Sequence, residues 1–236
     1  MRMDKLLANM GFGTRKDVKK LMKSGGVHVN GEIVKEGKVH VDPDQDLVTV
    51  FGEEVKYKSH IYLMMNKPQG VISATEDSEH ETVIDLILYE HAMYEPFPVG
   101  RLDKDTEGFL LITNDGQFSH ALMSPKRHVP KTYVATVRGK VIEEDVEMFK
   151  RGVTLDDGYE TKPAQLIILK QGEISEIELT ITEGKYHQVK RMFEAVDKKV
   201  LTLKRTKIGN LTLDPELELG TYRELTAKEI ELLLAK

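Results

Sequence analysis

Gly100-Arg101-Leu102-Asp103-Lys104-Asp105-Thr106-Glu107-Gly108 runs directly into Phe109-Leu110-Leu111-Ile112-Thr113-Asn114-Asp115-Gly116. Four acids and two bases fall in this stretch, and glycines bracket its charged half. The unbroken apolar run at 109–112 reads as a buried strand. Charge this dense beside a buried strand is costly unless it is paired or faces a cleft. Such a setting is that of an active-site loop held by a rigid element.

Metal binding is one reading of the acids. Asp103, Asp105 and Glu107 alternate and Gly108 takes the sixth position, as in a calcium loop. The pattern then fails, because Asn114 stands at the twelfth position where a bidentate Glu is needed. A plain polar turn before a strand is the other reading, and these residues alone leave it open.

Working outward, residues 1–30 contain seven bases, Arg2, Lys5, Arg15, Lys16, Lys19, Lys20 and Lys23, against Asp4 and Asp17, a local charge of +5. The whole chain of 236 residues carries −5, so the remainder totals −10. A basic head on an acidic body points to a module that binds a polyanion. Met3, Leu6, Leu7 and Met10 follow helical spacing, and Gly11-Phe12-Gly13 breaks the pattern. Thr14 is an N-cap with Asp17 at the third helical position. Val18, Leu21 and Met22 form the apolar face of the next helix, with most of the bases opposite, and Gly25-Gly26 ends it. Val27-His28-Val29, Ile33-Val34, Val39-His40-Val41 and residues 47–50 read as short strands, with Asn30-Gly31 as a tight hairpin turn. Gly11-x-Gly13 is no nucleotide loop, since no strand precedes it.

Tyr57-Lys58-Ser59 is the expected linker. Beyond it, strands are expected at 61–65, 132–137, 164–170 and 174–182, the last two paired around Gln171-Gly172. Helices are expected at 83–89, 143–150 and 187–196. Thr226 and Glu229 form a capping box for a terminal helix with Ile230, Leu233 and Leu234 on one face. This order predicts an α+β fold with a largely antiparallel sheet. The hydrophobic fraction of 40% and charged fraction of 31% are those of an ordinary water-soluble chain. No cysteine is present, which excludes disulfides and thiolate chemistry and fits a cytoplasmic location. No apolar run approaches membrane-helix length, and the start of the chain shows no signal-peptide pattern.

Four segments resemble, in order, the motifs of the RsuA-like branch of the ribosomal RNA pseudouridine synthases. They are Asn66-Lys67-Pro68-Gln69-Gly70-Val71, Arg101-Leu102-Asp103 with its Gly-Phe-Leu-Leu strand, Lys131-Thr132-Tyr133-Val134, and residues 183–193 around His187-Gln188-Val189-Lys190-Arg191. The N-terminal helices and strands are similar to the S-four-type RNA-binding domain named after a ribosomal protein. The resemblance covers nearly the whole chain. It implies an S-four-type domain at 1–58 and a mixed, largely antiparallel α+β catalytic domain at 59–236. It also implies conversion of uridine to pseudouridine in RNA, without cofactor or metal.

By that resemblance Asp103 is the catalytic carboxylate, Lys190 its basic partner and Tyr133 the surface that stacks on the target uracil. An adjacent cation favours the charged form of an acid. Many relatives carry Arg where this chain has Lys190, which leaves Arg191 as an alternative partner for Asp103. Arg101 and Arg191 are expected to contact RNA, together with the seven N-terminal bases. His187 receives no catalytic role from the resemblance and reads as structural or RNA-facing. Lys67-Pro68 reads as shaping a loop near the site. Gly116-Gln117-Phe118-Ser119-His120 and Met123-Ser124-Pro125-Lys126-Arg127-His128 look most like the members acting on uridine-516 of 16S rRNA. A 23S rRNA enzyme of the same branch and a non-catalytic rRNA-binding assembly factor are the alternatives. A monomer is expected.

Overall fold

The computed structural model describes residues 1–236 apart from Asp44, Pro125, Lys126 and Lys236, so part of the 123–128 segment lies outside the described residues. The chain forms two compact units. One comprises Met1–Ile61 with Ile87–Pro96, the other Tyr62–Leu86 with Phe97–Lys236.

In the first unit, α1 (Met3–Asn9) and α2 (Arg15–Lys23) pack beside four short strands. These are β1 (Val27–Val29), β2 (Glu32–Ile33), β3 (Val48–Val50) and β4 (Glu53–Glu54), in the antiparallel order β2-β1-β3-β4. The capping box at Thr14 and Asp17 forms as expected. Met3, Leu6, Leu7, Val18, Met22 and Val27 have no exposed surface and make the core. Asn30 and Gly31 both take positive φ, the geometry a two-residue hairpin of type I′ requires. Residues 39–41 were expected as a strand but make only an isolated bridge, Arg2 to His40. Their hydrogen bonds run to Met1 and Met3, and the chain coils into α1 there, so no ladder can extend. A single-turn helix, α3 (Tyr89–Ala92), also belongs to this unit. It is followed by Tyr94, which packs against Tyr57 and donates to the Met10 sulfur.

The second unit is built on a nine-stranded sheet. Its strands are β5 (Tyr62–Lys67), β6 (Phe97–Pro98), β7 (Glu107–Thr113), β8 (Lys131–Arg138), β9 (Gln165–Lys170), β10 (Ile174–Ile181), β11 (Lys199–Ile208), β12 (Leu211–Thr212) and β13 (Tyr222–Glu224). The main order is β13-β5-β7-β11-β8-β10-β9, with β6 on β7 and β12 on β11. Every pairing is antiparallel except β7 with β11. The helices are α4 (Gly116–Met123), α5 (Glu143–Arg151), α6 (Gln188–Glu194) and α7 (Ala227–Leu234). Phe109, Leu111, Phe118, Ile208 and Leu233 share one core cluster, while Phe149 of α5 meets Phe193 of α6 at 5.0 Å between ring centroids.

One expectation in this unit needs correction. Residues 83–86 form turns, 87 a bend and 88 no regular structure, where a helix was expected at 83–89. The Asp85 carboxylate accepts from the Thr82 amide and hydroxyl, and Val83 N bonds to Ile72 O. Local side-chain bonds of this kind compete with helical ones. The longest strand, β11, and the helix α4 were not anticipated at all. Asp115 caps α4 by accepting from Gln117 N and Phe118 N.

Candidate active site

The 101–106 loop leads into β7, and its shape is set by residues at the end of β5 and just beyond it. The side chain of Lys67, at the end of β5, is entirely buried. Its ammonium donates to the carbonyls of Pro68 at 2.9 Å, Asp103 at 3.1 Å and Thr106 at 3.0 Å. Burial pulls its pKa down to about 8, against the attraction of Asp103, Asp105 and Glu107. Gly70 N bonds to Lys104 O, and the Ser73 hydroxyl both donates to Leu102 O and accepts from Leu102 N. The Asn66–Gly70 motif is therefore the mould of the 101–106 loop. Lys67 anchors it, rather than only shaping its own loop.

Gly108 is the hinge between loop and strand. Its φ is +102°, and a Cβ there would lie 2.2 Å from the Arg205 carbonyl oxygen, in the parallel contact of β7 with β11. Only glycine fits that approach. Arg205 in turn lies opposite Tyr133 in the β11–β8 register. Its Nε donates to Phe109 O at 2.7 Å, while its Nη2 is buried without a hydrogen-bond partner.

Arg101, Asp103, Tyr133 and Lys190 all line one cavity of about 690 Å³. Tyr133 sits on β8 with only 7% of its surface exposed. Lys190, on the inner face of α6, bridges two acids, with its ammonium 2.6 Å from Asp105 Oδ1 and 3.4 Å from Asp103 Oδ2. Burial works against that charge, but the Asp105 hydrogen bond and the attraction of Asp103 outweigh it and hold the Lys190 pKa above the ordinary value. For Asp105, burial is likewise outweighed by the Lys190 hydrogen bond, and its pKa lies below the ordinary value. His187 Nε2 stands 3.7 Å from Asp103 Oδ1. The Asp103 carboxylate thus faces two nitrogens, one from each of two neighbouring positions on the α6 surface. Lys131 also lines the cavity, and burial together with the Arg205 charge lowers its pKa to about 8.

Arg191 does not join this group. Its guanidinium is taken up by Asp156 and Asp157. Lys190, not Arg191, is the cation beside Asp103. The seven N-terminal bases are all exposed on the first unit, although Arg2 is paired through its fork with the buried Asp4. Among the described residues, no group of three or more His, Asp or Glu is placed to hold a metal ion. No helix among them is long and apolar enough to cross a membrane.

Tyr133, Lys190 and the half-satisfied Arg205 line one cavity with the Asp103 carboxylate, and Lys67 is buried against the loop that carries that carboxylate. The chain belongs to the RNA pseudouridylate synthase family, whose model matches residues 61–195, and an S4 domain model matches residues 1–47. It is an isomerase of that class. An uncharacterized RNA pseudouridine synthase of Bacillus subtilis, YtzG, is 56% identical over 234 residues, covering 99% of this chain and 98% of its own length. The ribosomal small subunit pseudouridine synthase A of Escherichia coli K12 is 39% identical over 231 residues, with 98% of each chain covered. A crystal structure of a pseudouridylate synthase superposes with a TM-score of 0.69 at 40% identity over 99% of both chains.

Arg205 is the residue that sequence reasoning missed, and for Lys67 it foresaw a loop-shaping part near the site but not the buried anchor. Lys67 was visible as a lone base closing an apolar strand, Ile61-Tyr62-Leu63-Met64-Met65. Arg205 gave no signal, since it is one of four bases in the run 199–207.

Proposed function

We propose that the protein converts a uridine of ribosomal RNA to pseudouridine, most specifically uridine-516 of 16S rRNA, in the cytoplasm and as a monomer. The single observation that carries the catalytic reading is the convergence of Asp103, Lys190 and Tyr133 on one cavity. The small-subunit assignment is supported by the Escherichia coli relative and by the resemblance of residues 116–128. The domain reading supported by the sequence is an RNA-binding module at 1–58 and a catalytic domain at 59–236.

In the reaction the bond from uracil N1 to the sugar breaks and a bond from C5 to the same carbon forms. The C5 proton leaves and N1 takes one up. Asp103 is the carboxylate at the anomeric carbon. Lys190 keeps a positive charge beside it. Tyr133 offers a ring for the extruded base, and stacking on an aromatic is worth roughly 1–3 kcal/mol per base. The cavity walls keep water from trapping the cleaved sugar. Arg101, exposed at the rim, contacts the RNA beside the target.

The test is incubation with unmodified rRNA of both subunits, followed by chemical mapping of pseudouridine. Asp103→Asn is expected to abolish tritium release from uridine labelled at C5 while RNA affinity stays within about twofold, an amount below the tenfold that 1.4 kcal/mol represents. Near-normal turnover by that variant removes Asp103 from the mechanism. Modification confined to 23S rRNA replaces the substrate, and no modification of either RNA leaves a binding factor.

A further inference from the structure

The turn that leads into α6 is unusually well tied. Gln188 is 3% exposed. Its Oε1 accepts from Lys185 N at 2.8 Å and its Nε2 donates to Glu183 Oε1 at 2.8 Å. The same Glu183 carboxylate accepts from Lys162 N and from the Tyr159 hydroxyl. The Lys185 ammonium sits 4.4 Å over the Tyr159 ring. On this clamped turn Tyr186 leaves 76% of its surface in solvent. Its ring lies against His187, with centroids 3.8 Å apart and planes 17° apart.

A single exposed aromatic needs no explanation by itself. Three observations set this one apart. The turn beneath it is fixed by part-buried hydrogen bonds around the buried Gln188, so the ring is presented by a rigid support. His187 backs one face of the ring and leaves the other to solvent. The pair also stands in the wall of the cavity that holds Asp103, with His187 Nε2 3.7 Å from that carboxylate.

We propose that Tyr186, backed by His187, is a stacking platform for the nucleotide next to the uridine that enters the cavity. This rests on the reading of the cavity as a uridine site and adds to it a second base-binding position. Extruding a base breaks its stacks and leaves the neighbouring base with a bare face. Tyr133 cannot serve that neighbour, because it is buried inside the cavity. Tyr186 also lines the cavity but leaves most of its surface in solvent, where a neighbour still in the strand would lie. Lys185 and Arg101, both exposed and on the same rim, supply charge for the adjoining phosphates. Every base has an aromatic face, so the platform sets register and helps hold the strand open without reading sequence.

The experiment uses the full chain and a short RNA hairpin whose loop presents one uridine, with 2-aminopurine placed on its 5′ or its 3′ side. The wild type is expected to quench the fluorescence on one side, and Tyr186→Phe to do the same. Tyr186→Leu, which keeps apolar bulk, is expected to lose that quenching and to bind at least about tenfold more weakly. Thermal melting checks that the Leu variant is folded. If Tyr186 only holds His187 in place, affinity falls but the side-specific quenching persists, and the platform is overturned. Equal quenching and affinity in wild type and Leu variant overturn it too, as does the absence of quenching on both sides. Tritium release is measured separately. Its absence from the wild type, with quenching intact, refutes the isomerase reading and not the platform.

Discussion

Lys67 holds the 101–106 loop through two carbonyls, those of Asp103 and Thr106, and its own turn through Pro68 O, and that makes it the most informative residue to change. Lys67→Met keeps the buried stem and removes every donor. Two loop carbonyls, those of Asp103 and Thr106, then lose a charged partner inside the protein. A lost hydrogen bond of this kind costs about 1–3 kcal/mol. The variant is expected to melt several degrees lower and to lose at least about tenfold in single-turnover rate, since small displacements of a reacting group are expensive. RNA affinity is expected to stay near normal, because no donor that faces RNA has been touched. A normal rate at saturating RNA would show that the loop keeps its shape without the anchor. The same logic explains why the charged loop is tolerated beside a buried strand. Lys190 sets one positive charge against Asp103 and Asp105, and Lys67 satisfies the loop backbone.

At the scale of elements, the terminal helix offers a test of electrostatics. Glu229 accepts from both Arg223 terminal nitrogens and from the Thr226 amide and hydroxyl, closing the capping box and tying α7 to β13. The Arg223 hydrogen bonds, more than offsetting burial, bring its pKa from 4.5 to about 2. A carboxylate whose folded pKa is depressed contributes stability that is complete above its unfolded value and is lost as pH falls through the folded one. Unfolding free energy measured in urea is thus expected to decline from about pH 4.5 towards about pH 2, with this site supplying on the order of 1–3 kcal/mol. Arg223→Met is expected to flatten that decline, and an unchanged slope would assign it to other acids. This capping box was legible in the sequence because Thr and Glu three apart before an apolar stripe are a local signal. So were the box at Thr14, the buried strand β7, and the pair β9 and β10 around Gln171-Gly172. What escaped was non-local. Strand β11 carries Lys199, Lys204, Arg205 and Lys207 at uneven spacing and makes a parallel contact with β7, about a hundred residues earlier. The roles of Gly108 and Arg205 exist only once that contact forms. Residues 83–88 failed in the opposite sense, since their apolar spacing suited a helix while Asp85 and Thr82 closed a turn.

Across the whole molecule, the question is how a chain of net charge −5 holds a polyanion. Charge is segregated along the sequence, and the structure keeps it so. Arg15, Lys16, Lys19, Lys20 and Lys23 are all exposed, while Val18 and Met22 of the same helix are fully buried. Deleting residues 1–58 would be a poor test of this face. The first unit also contains 87–96, and the deletion would strip Tyr57 and Met10 away from Tyr94. Reversing Lys16, Lys19 and Lys20 to Glu leaves that packing intact, because none of the three is buried. If each contacts a phosphate, binding to single-stranded rRNA should weaken and its logarithmic dependence on salt should become shallower by about 2, at roughly 0.7 per contact. The single-turnover rate at saturating RNA should stay near normal, because Asp103, Lys190 and Tyr133 are unchanged. Thermal melting should also stay close to that of the wild type. An unaltered affinity and salt slope would mean that the RNA is held by other bases, and that the positive face of α2 serves some other anion.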